Sequence, residues 1–146
     1  MKTRPTAFPF GILLALLLST LSCSQDQPQL RTVKLMSGGE VVDLSGDWRV
    51  DYTYYGIYQA LSGYSHVVRI YQDADQFMAL VKDQDQFFAM GTQIVRGHLY
   101  IDGIQNAQIW TKDRGWLNCD GAIFDNGNRI VLLEPSQKRT FTRLKS

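Results

Sequence analysis

Histidine and cysteine are scarce in this chain, with two of each among 146 residues. His66 and His98 belong to no His-x-His or His-Glu-x-x-His arrangement, which removes the usual grounds for a zinc centre. No Gly-x-Ser-x-Gly elbow, phosphate loop or dinucleotide fingerprint occurs, so the common signatures of hydrolytic, nucleotide and hydride-transfer chemistry are missing. The sequence therefore nominates no catalytic residue, no metal site and no cofactor. Basic residues do not cluster, which argues against a nucleic-acid partner. No apolar run reaches the roughly 20 residues needed to span a bilayer core as a helix. A sustained helical period is also absent, and that turns attention to strands.

What is present begins at the N-terminus. Lys2 and Arg4 precede an apolar run from Phe8 to Leu18, and Thr20-Leu21-Ser22 lead into Cys23. A basic start, a short apolar segment and a small residue before a cleavage point form the layout of a secretory signal peptide, here residues 1–22. The segment resembles the lipobox of bacterial lipoproteins. That resemblance implies that Cys23 is lipidated, that the preceding residues are removed, and that Cys23 becomes the first mature residue. An ordinary signal cut near Ser22 and Ser24 is the alternative. One acyl chain holds a protein to a membrane only reversibly, whereas a cysteine carrying two or three meets the requirement for stable anchoring. Ser24 rather than Asp after the cysteine implies, by enterobacterial sorting, the outer membrane facing the periplasm.

Removing the first 22 of 146 residues leaves 124, enough for one domain with a real core. The mature chain carries 13 basic and 14 acidic residues, a net charge of −1. With Cys23 lipidated, Cys119 stands alone and no intramolecular disulfide forms, so packing must stabilise the domain. A lone cysteine of this kind is a nucleophile, an intermolecular bridge or, most simply, a small buried hydrophobe. Residues 23–39 read as the lipidated cysteine and a flexible polar tether, and 40–146 as the domain.

The domain is a succession of strand-length pieces. In 46–55, Trp48, Val50, Tyr52 and Tyr54 alternate with Asp47, Arg49, Asp51 and Thr53, putting the aromatics on one face and the charges on the other. Further strands are expected at 66–72, 77–82, 87–95, 98–104, 108–112, 117–124, 129–134 and 139–144. Arg96-Gly97 fits a two-residue hairpin loop and Asn126-Gly127 a type I′ turn; 113–115 is a turn, and Asp102-Gly103 a turn or bulge. Residues 73–80 recur as 83–90, ten residues on, the step of an antiparallel meander. Their Asp-x-Asp segments invite a cation, but neither continues into an EF-hand loop, and acidic turn residues are the simpler account. Residues 55–65 form the longest link, a lid-like loop or a short helix. Eight or nine strands joined by tight turns leave exposed edges unless the sheet closes. The expected fold is all-β, an antiparallel up-and-down barrel of about eight strands, with a β-sandwich as the alternative.

Leu44-Ser45-Gly46-Asp47-Trp48, opening the first strong strand, is similar to the Gly-x-Trp that opens the barrel of the calycins (lipocalins, fatty-acid-binding proteins, avidins). The resemblance implies that Gly46, Trp48 and a basic residue near the end of the last strand are structural. Arg143 lies across Trp48 in that arrangement, with Arg139 as the alternative, and a guanidinium over an indole adds cation–π attraction.

Tyrosine is the remaining excess. Tyr52 and Tyr54 share the face of Trp48, while Tyr55, Tyr58 and Tyr64 populate the next link. Hydroxyls near a barrel mouth suit a ligand with apolar and polar surface, giving Trp48, Tyr52, Tyr54, Tyr58 and Tyr64 as the candidate ligand-binding set; core filling is the competing account. Two non-enzymatic functions follow. One is a lipid-anchored, lipocalin-like barrel holding a small, partly apolar ligand. The other is a protein-interaction or inhibitor module of the lysozyme- or protease-inhibitor type, with a filled interior and working surface loops. Ile109-Trp110-Thr111-Lys112 and Ser62-Gly63-Tyr64 superficially resemble fragments of lysozyme inhibitors.

Overall fold

The computed structural model describes residues 29–145. The expected signal peptide 1–22 and the expected lipidation site Cys23 lie outside the described residues. Ten strands follow in order: β1 (Thr32–Lys34), β2 (Glu40–Val42), β3 (Gly46–Tyr54), β4 (Ser65–Asp73), β5 (Gln76–Val81), β6 (Gln93–Tyr100), β7 (Gly103–Thr111), β8 (Gly115–Phe124), β9 (Arg129–Glu134) and β10 (Gln137–Arg143). Strands β3 to β10 pair antiparallel with their chain neighbours, and β10 returns to β3, closing an eight-stranded up-and-down barrel. Closure leaves the barrel no free edge, and it decides against the sandwich.

Alternation drives the closure. Trp48, Val50 and Tyr52 of β3, Val68 and Ile70 of β4, Ile130 and Leu132 of β9, and Phe141 of β10 are buried in one core. Burying a side chain of this size stabilises by about 1.5–3 kcal/mol. Arg143 pairs in register with Trp48 across β10–β3, and its guanidinium carbon lies 4.4 Å from the indole centroid. The indole Nε1 donates to the Leu44 carbonyl at 2.8 Å, and Arg143 donates to the Ser45 carbonyl at 2.7 Å. Gly46 sits at φ +128, and a Cβ there would lie 3.6 Å from the Arg143 guanidinium. These contacts form one end of the barrel.

Part of the stretch expected as a tether is folded. Strands β1 and β2 make a ribbon, turned by the Leu35 amide donating to the Gly39 carbonyl at 2.9 Å. Val33 and Leu35 supply the apolar contacts that attach it, and Val41 is buried in the core itself. Gln72 ties the ribbon to the barrel, accepting from the Leu44 amide at 2.7 Å and donating to the Val42 carbonyl at 3.0 Å.

Two expectations about the middle of the chain are corrected. The strand placed at 87–95 begins only at Gln93, because the Asp85 side chain takes the Phe87 and Phe88 amides, at 2.6 and 2.8 Å, out of any ladder. The ten-residue repeat is therefore one strand and one loop, not two strands. Arg96-Gly97 is not a hairpin loop. Both residues lie inside β6, beside a register shift, and a Cβ at Gly97 would stand 2.8 Å from the Phe77 ring and 3.3 Å from the Ala107 Cα. Glycine is needed there for packing, and the reversal falls at 101–102. Strand β7 correspondingly starts at Gly103 rather than 108. The turn around Asn126-Gly127 is longer than a two-residue loop, with Asp125, Asn126 and Gly127 all at positive φ.

Candidate functional site

The end opposite Trp48 carries the long connections, residues 55–64 between β3 and β4 and 82–92 between β5 and β6. Strand β3 delivers Tyr52 to this end, four residues and about 13 Å beyond Trp48. The structure thus separates the candidate ligand set. Tyr52, Tyr54 and Tyr64 come together, with Tyr52 5.3 Å from Tyr64 and 6.1 Å from Tyr54 between ring centroids. Trp48 lies at the far end beneath Arg143. Tyr58 sits on a 3-10 helix, Gly56–Leu61, that buries none of its residues, and is 44% exposed.

The tyrosines are organised by residues the sequence did not single out for this role. Period-two alternation carries His66 inward with Val68 and Ile70. Tyr52 Oη and His66 Nε2 are 3.3 Å apart, and Tyr64 Oη and His66 Nδ1 are 2.9 Å apart. Tyr64 also hydrogen bonds to Asp85, whose Oδ2 lies 3.3 Å from His66 Nδ1. One proton order satisfies every group. Tyr64 donates to Asp85, the His66 Nδ1–H is shared between Tyr64 Oη and Asp85 Oδ2, and His66 Nε2 accepts from Tyr52. Phe88, carried by the 82–92 loop, closes over the group, with its ring 5.1 Å from His66 and 6.1 Å from Trp110.

Beneath it lies Arg139, 2% exposed. Its guanidinium donates to the carbonyls of Trp110 at 2.6 Å and Ile94 at 3.1 Å and to Gln137 Oε1 at 3.1 Å, and lies 5.0 Å from the Tyr52 centroid. No carboxylate among the described residues forms an ion pair with it. A buried charge costs several kcal/mol unless its donors are satisfied; here carbonyls from β6 and β7 satisfy them, so Arg139 ties three strands together across the interior.

Burial pushes the Tyr52 and Tyr64 hydroxyls well above the ordinary tyrosine value, Tyr64 with a further upward push from Asp85. Burial also lowers the pKa of His66, against an opposing pull from Asp85. Desolvation alone would raise Asp85, but hydrogen bonds from Tyr64, the Phe87 and Phe88 amides and His66 outweigh it and hold the carboxyl below its usual range. At neutral pH the arrangement is a neutral imidazole clamped between protonated tyrosines and a carboxylate. Physically it is a latch on the 82–92 loop. Cys119, half-buried against the core, has its thiol pushed up to about 11 by burial, as suits a small hydrophobe.

The outer wall carries a second feature. A depression of about 850 Å³ crosses β4 to β8, and its lining includes Tyr71, Met78, Arg96, Gln108 and Asn118 but none of the tyrosines of the mouth. Arg96 Nε donates to Gln108 Oε1 at 2.8 Å, and Gln108 Nε2 donates to Asn118 Oδ1 at 2.9 Å. The Arg96 guanidinium carbon lies 4.4 Å from the Trp116 ring centroid. Among the described residues no group of three His, Cys, Asp or Glu side chains is placed to hold a metal ion. Comparison with protein-family models, curated protein sequences and solved structures gives no match, so the chain's own residues must carry the functional reading.

Proposed function

We propose that this is an exported lipoprotein, anchored through Cys23 to the outer membrane facing the periplasm, whose barrel is a non-enzymatic binding module working from its outer wall. The observation that carries the reading is the state of the expected ligand space. Tyr52 is 1% exposed, its hydroxyl is engaged by His66, and Arg139 and Phe88 pack against it. A barrel filled in this way serves as a rigid scaffold, and the polar depression across β4 to β8 is the concave surface it offers. The Gly46-Asp47-Trp48 opening and the Arg143 contact fit a calycin-like scaffold.

The test is a photo-crosslinking residue placed in intact cells at Gln108, on the wall, or at Lys138, on the far side of the barrel. Adducts at Gln108 and none at Lys138 are expected; equal labelling would remove the reading. Anchoring is checked separately. Cys23→Ser should lose acyl-chain labelling and leave the membrane fraction.

A second reading keeps a small, partly apolar ligand at the mouth. It is favoured by Phe88 being borne on a loop whose inward hydrogen bonds converge on Asp85. In that case a ligand takes the place of Phe88. Native mass spectrometry of protein purified without harsh detergent should then find a retained molecule.

A further inference from the structure

Side chains of the wall depression are tied to one another across the strands, Arg96 to Gln108 and Gln108 to Asn118. Register places Tyr71 beside Met78, Met78 beside Arg96, Arg96 beside Gln108 and Gln108 beside Asn118. These five outward side chains make one transverse row over five strands, about 19 Å long at the usual interstrand spacing of roughly 4.8 Å. Holding long polar side chains in one geometry in water costs rotamer entropy and contributes little stability. A bound partner recovers that cost, because a surface already ordered need not be ordered again on binding.

The row's chemistry narrows the partner. Its groups are planar and mixed, with a guanidinium and two amides flanked by Asp73, His98 and Asp120 in the same lining. The two bonds that fix the Gln108 amide leave the outer nitrogens of Arg96 and the amide nitrogen of Asn118 free of side-chain partners in the row. Planar donors and acceptors at neighbouring positions match vicinal hydroxyls, each of which both donates and accepts. At the other end Tyr71 and Met78 are 47% and 43% exposed, an apolar shelf suited to the C–H face of a sugar ring. Other partners fit poorly. A closed barrel has no free edge here for an added peptide strand. A mature charge of −1 without a basic cluster does not suit a polyanion, and the polar row does not suit a lipid chain.

We propose that the β4–β8 wall is an oligosaccharide-binding face, read by Arg96, Gln108 and Asn118 and floored at one end by Tyr71 and Met78. This rests on the wall reading above and names the class of ligand that the wall takes. The test titrates the full mature protein with an N-acetylglucosamine hexamer and with maltohexaose, following amide shifts by NMR. Binding of at least one, with a Kd of about 1 mM or tighter and shifts confined to β4–β8, is expected. Gln108→Ala combined with Asn118→Ala should weaken it by about tenfold or more, a loss of roughly 1.4 kcal/mol per decade. Tyr71→Ala should weaken it independently, and Lys138→Ala should leave it unchanged. These positions face outward, so the variants are expected to melt close to the parent. No binding of either sugar, or binding indifferent to both wall variants, overturns the proposal. If adducts at Gln108 persist in cells while both sugars fail, only the ligand class falls. If those adducts are also absent, the wall reading falls with it.

Discussion

The two ends of the barrel are built on the same device and put it to different use. Strand β10 supplies both arginines, four residues apart. Arg143 covers Trp48 at 4.4 Å and Arg139 covers Tyr52 at 5.0 Å, each donating to backbone carbonyls rather than to a carboxylate. At the Trp48 end the aromatic is an indole, its N–H is satisfied by Leu44 four residues away, and the β1–β2 ribbon packs nearby. At the Tyr52 end the aromatic brings a hydroxyl, which needs a partner. His66 supplies it, and His66 in turn draws in Tyr64 and Asp85. What separates the two ends is therefore the partner that each ring's polar atom takes, a backbone carbonyl for Trp48 and a titratable histidine tied to a loop carboxylate for Tyr52.

That contrast can be broken at several points. The largest expected effect is at the Trp48 end. Trp48→Ala removes a fully buried indole and should cost about 3–5 kcal/mol by urea unfolding, whereas Phe88→Ala, half-buried on a loop, should cost no more than about 2 kcal/mol. Equal losses would mean that the mouth loop belongs to the main core. Next is Asp85→Ala, which removes the acceptor for Tyr64, His66 and two backbone amides. It should cost about 1–3 kcal/mol and speed hydrogen exchange at Phe87 and Phe88 while leaving the ladder amides of β10 and β3 protected.

A smaller effect concerns pH. The folded pKa of His66 lies below the ordinary 6.5, so the unfolded chain binds the proton more readily. Stability tied to the neutral imidazole is then complete above pH 6.5 and is lost as pH falls from 6.5 through the lowered folded value. The urea midpoint should drop between about pH 7.5 and 5.5, and His66→Gln should flatten that slope. A slope unchanged by the substitution would place the titrating group elsewhere. Asp85, also lowered, acts in a separate window below its ordinary 3.8. The smallest effect is at Cys119. With its thiol pushed up to about 11, it should label with iodoacetamide at pH 8 far more slowly than free cysteine until the protein unfolds.

Much of the scaffold was legible residue by residue. Trp48, Val50, Tyr52 and Tyr54 alternating with charges announced β3 and its inner face, because a pleated strand has a period of two whatever it packs against. Arg143, near the end of the last expected strand, stood where the calycin resemblance puts a basic residue against Trp48, and it lies there. The errors came where one residue type serves two purposes. Gly97 after Arg96 looks like a turn, yet glycine is there to clear the Phe77 ring. Phe87-Phe88 looks like the start of a strand, yet Asp85, two and three residues earlier, captures their amides.

The mouth was legible only in pieces, its tyrosines by number and Asp85 by its Asp-x-Asp repeat. Nothing local links Asp85 to Tyr64 across 21 residues, Arg139 to the Ile94 carbonyl across 45, or Arg96 to Gln108 and Asn118 on the next two strands. By itself the chain determined its strand periods, its inner and outer faces and the barrel class, since these follow from backbone geometry and from hydrophobic burial summed over neighbours. Which polar groups meet inside that barrel, and which row of side chains lies across its wall, was decided by closure, because register between strands turns remote positions into neighbours about 5 Å apart.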